Sequence, residues 1–82
     1  MQVNLVFNND GMTENEQRII RAMFELHLDS VMQLTEVWAG VTQQSAEEGP
    51  IASTRRSLIE RGGRILSNAF PNANVRVDFP DE

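Results

Sequence analysis

Few side chains in this sequence have the type and spacing to do chemistry. His27 is the single histidine, and so the one imidazole available as a base or a metal ligand. A metal would need further ligands one helical turn away, but those positions hold Met23, Phe24, Ser30 and Val31. Nucleophilic hydrolysis would need a serine held against that imidazole, and none of the five serines sits in a recognisable motif. Cysteine is absent, which removes thiolate nucleophiles, thiolate metal sites and disulfides together. The adjacent carboxylates Glu47 and Glu48 lie in a polar stretch that keeps both solvated. No metal, cofactor or catalytic group is therefore expected, and the chain does not read as an enzyme.

Two other residue classes remain. Trp38 is the only tryptophan, and tryptophan and arginine are favoured anchors of protein interfaces. Arg55, Arg56, Arg61 and Arg64 make one segment locally basic, with Arg61 and Arg64 on its solvent side. A nucleic-acid surface would want a continuous basic stripe, whereas Glu60 interrupts this one and the net charge is −5. The strand-helix-helix order is superficially that of ribbon-helix-helix repressors. The first helix is far too long for that family, and its strand carries no basic residue.

The elements that must position these residues are well marked. Val3, Leu5 and Phe7 alternate with Gln2 and Asn4, which predicts a strand over residues 1–7. Asn8-Asn9-Asp10-Gly11 follows as a turn. Thr13 and Glu16 have capping-box spacing, and they open a helix expected over residues 13–41. Along it Ile20, Phe24, His27, Val31, Leu34, Trp38 and Val41 recur every four or three residues, as in a heptad seam. A second apolar line, Ile19, Met23, Leu26 and Val37, flanks that seam, and Leu28 lies on its other side. The combined apolar arc is about 200° wide, twice what a simple surface helix needs.

Residues 42–50 are polar and acidic and read as a loop, with Gly40 or Gln43 ending the helix. A second helix is expected over 53–68, burying Ile51, Leu58, Ile59, Ile65, Leu66, Ala69 and Phe70. Gly62 and Gly63 fall on that face and mark either a kink or, the preferred reading, a close crossing of backbones. Pro71 stops the helix, and Val75, Val77 and Phe79 alternate in a second strand over 74–79, before a short tail through Glu82. The fold expected is α+β, a βααβ chain whose two antiparallel strands pack against a helical hairpin in one domain.

That architecture leaves surfaces uncovered. A lone two-stranded sheet is marginal and has open edges. The first helix, about 42 Å long, overhangs a second of about 25 Å. Together with the wide arc these features call for a partner, most simply a second copy related by a two-fold axis. The seam residues Ile20, Phe24, His27, Val31, Leu34 and Trp38 form the expected dimer interface. Glu25, Asp29, Glu36, Glu47, Glu48, Arg61 and Arg64 are the expected contacts to a protein partner, with nucleic acid and membrane not expected. No signal peptide or apolar run of membrane-spanning length is present, so a soluble cytoplasmic protein is the default.

The function expected from these features is a small acidic interaction module that blocks or regulates another macromolecule. Inhibitors that phages encode against host or defence complexes share this size, charge and lack of motifs. The alternatives are an assembly subunit of a larger homo-oligomer and, after that, a nucleic-acid binder acting through the arginines of the second helix.

Overall fold

In the structure, a computed structural model describing residues 2–8 and 11–80, the capping box at Thr13 forms. The Glu16 amide donates to the Thr13 hydroxyl at 3.1 Å, and the Thr13 amide donates to the Glu16 carboxylate at 3.1 Å. The helix so opened, α1, runs Glu14–Thr42. It passes through Gly40 and ends on Gln43, whose left-handed backbone (φ 57°) caps it. Glu14 and Arg18 pair across its first turn at 3.9 Å. The second helix, α2, covers Gly49–Ala69 and starts earlier than expected. Gly49-Pro50 reads as loop chemistry, but proline in a first helical turn loses no hydrogen bond and its fixed φ suits the helix. At 21 residues α2 is about 31 Å long, so the overhang of α1, with 29 residues, shrinks to about 12 Å.

The strands are shorter than expected: β1 is Asn4–Phe7 and β2 is Val75–Asp78. They pair antiparallel with Leu5 opposite Val77 and Phe7 opposite Val75, so both apolar sets share the face turned to the helices. The βααβ order and the packing of two antiparallel strands on a helical hairpin are as the sequence predicts. Met1 of the first strand, Asn9 and Asp10 of the turn, and Asp81-Glu82 of the tail lie outside the described residues.

The core sits between the two layers and holds Leu5, Ile20, Phe24, Val31, Ile59, Leu66, Ala73 and Val75. Each strand is also pinned by an arginine from a helix. Arg21 of α1 stacks over the Phe7 ring at 4.8 Å and donates to the Leu5 carbonyl, while Arg56 of α2 stacks over Phe79 at 4.7 Å. The two glycines of α2 mark close approaches, and the helix runs through both without a break. A Cβ on Gly62 would strike the His27 ring of α1, and one on Gly63 would strike the Val77 side chain of β2. Ile65, Ala69 and Phe70, expected on the buried face of α2, are instead exposed. They lie on the flank of α2 turned away from the sheet.

Candidate interaction surface

The expected dimer seam is divided by the fold. Ile20, Phe24 and Val31 are 2%, 3% and 4% exposed, enclosed by α2 and the strands of their own chain. This corrects their assignment to an interface between copies: a helical hairpin with a sheet beneath it is enough to cover them. His27 is partly buried, and its Nε2 lies 2.6 Å from the Leu58 carbonyl, donating to it across the crossing at Gly62. Trp38 is partly buried near the far end of α1. Only Leu34 of that set is an exposed large apolar residue.

What α1 leaves open is the flanking line. Ile19, Leu26, Leu34, Val37 and Val41 are between 58% and 79% exposed. At 100° per residue they fall, with Met23 and Ser30, in an arc of about 80° on the side of α1 away from the sheet. No charged residue except Glu16, at the N-terminal end, lies within that arc. Ile65 and Phe70 extend the apolar area onto α2. Where the N-terminal half of α1 meets the end of α2, a cavity of about 250 Å³ opens, lined by Met12, Ile19, Ile20, Ala69, Phe70 and Pro71 among others. Exposed apolar surface of this extent is the usual mark of an interaction site.

The charged residues sort into two groups. Glu25 and Asp29 are exposed on the side of α1 that meets β1, away from the apolar band, Glu48 is exposed in the loop, and Arg61 and Arg64 are exposed on α2. Glu36 and Glu47 are not free carboxylates waiting for a partner. Both approach Arg55, which is fully buried. Arg55 donates from Nε to the buried Thr35 hydroxyl at 2.8 Å and from Nη1 to Glu47 at 3.2 Å. Its Nη2 is buried without a hydrogen bond among the described residues, 3.9 Å from Glu36. Thr35 in turn donates to the Val31 carbonyl at 2.8 Å. Arg55 thus ties α1, α2 and the acidic loop into one closed hairpin, and the loop is held by an ion pair where free solvation was expected.

Among the described residues no group of three or more His, Cys, Asp or Glu side chains is placed to hold a metal ion, and no helix is long and apolar enough to cross a membrane. Comparison of the chain with protein-family models, with curated proteins and with solved structures gave no match.

Proposed function

We propose that this chain is a non-catalytic interaction module that pairs with a second copy and presents an acidic edge to a basic surface of another macromolecule. The observation that carries the reading is the uncharged apolar band on the outer side of α1, from Ile19 to Val41, most of which is left open by the described residues of its own chain. Each exposed Leu, Ile or Val transferred from water is worth on the order of 1.5–3 kcal/mol when fully buried. Five such residues on one helix face give a strong drive to association. Glu25 and Asp29 are exposed on the same helix but on its β1 side, turned away from the band, so pairing through the band leaves them open to a basic partner. Such an edge would steer and orient a basic partner more than it would bind it tightly.

Sedimentation velocity on the wild-type chain over a dilution series tests the pairing. The expected result is a dimer that dissociates on dilution. A monomer at every concentration would overturn the reading.

A further inference from the structure

The exposed band of α1 has an internal symmetry. Its apolar residues stand at equal distances on either side of Ser30: Leu26 and Leu34 at four residues, Met23 and Val37 at seven, Ile19 and Val41 at eleven, all exposed except Met23, which is partly buried against the core. Offsets of four, seven and eleven are those that keep residues on one face of a helix. The pattern therefore reads the same from both ends. A helix face of this kind matches a copy of itself laid antiparallel, because a two-fold axis beside Ser30 sets Leu26 against Leu34, Met23 against Val37 and Ile19 against Val41.

From this pattern we infer, resting on the pairing reading above, that two copies associate through α1 in antiparallel orientation about a two-fold axis beside Ser30. Three further observations support a second copy as the occupant. Between Ile19 and Val41 the band is uncharged, so self-contact brings no like charges face to face. Ser30, at the crossing point, is the small residue among larger ones and lets the backbones approach. Val41, the most exposed apolar residue at 79%, would sit opposite Ile19, beside the apolar cavity of about 250 Å³ that Ile19 helps to line. One end of each helix supplies the projecting side chain and the other end the recess.

The size fits a pair that dissociates on dilution. The band is about 33 Å long and one helix, about 10 Å, wide, so two copies together bury on the order of 660 Å² of it, with Ile65 of α2 adding at the margin. That is the low end of the size range, where transient interfaces fall.

Single-cysteine variants test the geometry cleanly, because the chain has no cysteine of its own. Ser30→Cys, Leu26→Cys and Leu34→Cys are oxidised singly, and the last two also as a co-refolded mixture, with dimer read on a non-reducing gel. Light scattering on wild type and on each reduced variant gives the mass. The expected result is a cross-linked dimer from Ser30→Cys alone and from the Leu26→Cys with Leu34→Cys mixture. Each leucine variant alone should cross-link poorly, since its two copies stand about 12 Å apart along the axis, beyond the roughly 7 Å a disulfide spans. A dimer by mass in which Leu26→Cys alone cross-links as well as the mixture, or Ser30→Cys does not, overturns the antiparallel geometry and leaves the pairing reading standing. A monomeric mass for wild type overturns both.

Discussion

Thr35 and Arg55 show how a single buried contact closes this hairpin. The Arg55 guanidinium has no exposed surface, and its Nε is satisfied by one hydroxyl. Thr35→Val removes that acceptor and leaves a buried charged donor unpaired, at an expected cost of about 1–3 kcal/mol in urea unfolding. Arg55→Met removes the charge while keeping a long apolar stem in place, and it is expected to cost less, because buried ion pairs contribute little net stability against a hydrophobe of similar volume. The reverse order would show that the ion pairs to Glu36 and Glu47 hold the loop. At the other end of α1, the Thr13 hydroxyl and then the Thr13 amide hold the Glu16 carboxyl below its ordinary range. A lowered folded value means that this contribution is present above the ordinary value of 4.5 and is lost as pH falls through the folded value. Wild type and Glu16→Ala should therefore differ in thermal stability near neutral pH and converge in acid. A constant difference across that window would contradict the capping account.

At the scale of elements, the crossing of α1 and α2 depends on Gly62. Gly62→Ala gains helix propensity, about 1 kcal/mol, but forces a methyl group against the His27 ring, which typically costs about 1–3 kcal/mol. The net effect expected is destabilising in wild type and stabilising in a His27→Ala background, a sign change that a double-mutant cycle in urea would read. Both glycines, the capping box, the alternation in the strands and the order of the four elements are local signals, and the sequence alone was enough to place them. The start of α2 was not, because Gly49-Pro50 serves a turn and a first helical turn equally well. The division of the α1 arc was also hidden. Periodicity shows how wide an apolar face is, but which half the second helix covers depends on where α2 docks. The seam from Ile20 to Val31 went inside, and the line through Ile19, Leu26 and Val37 stayed out. The burial of Arg55 had one readable sign, its i,i+4 placement between Ile51 and Ile59, which charge alone argues against.

For the whole molecule, the pairing face and the acidic edge make opposed demands. In the proposed dimer two chains of net charge −5 each come together, so the copies repel one another electrostatically. Raising the salt concentration from about 0.01 M to about 1 M shortens the Debye length from roughly 30 Å to roughly 3 Å and should tighten the dimer. Weakening with salt, read by sedimentation, would mean that charge attraction holds the copies together.

The most direct measurement compares two substitutions one turn-position apart in role. Leu26 is exposed and Phe24 is core, so an aspartate at each separates pairing from folding. Molar mass by light scattering, with circular dichroism on the same samples, should give a wild type of twice 9.3 kDa, a folded Leu26→Asp monomer of 9.3 kDa and an unfolded Phe24→Asp. A Leu26→Asp chain that remains dimeric at wild-type affinity, or a folded Phe24→Asp monomer, would contradict the assignment of the outer face of α1 as the surface on which this protein associates.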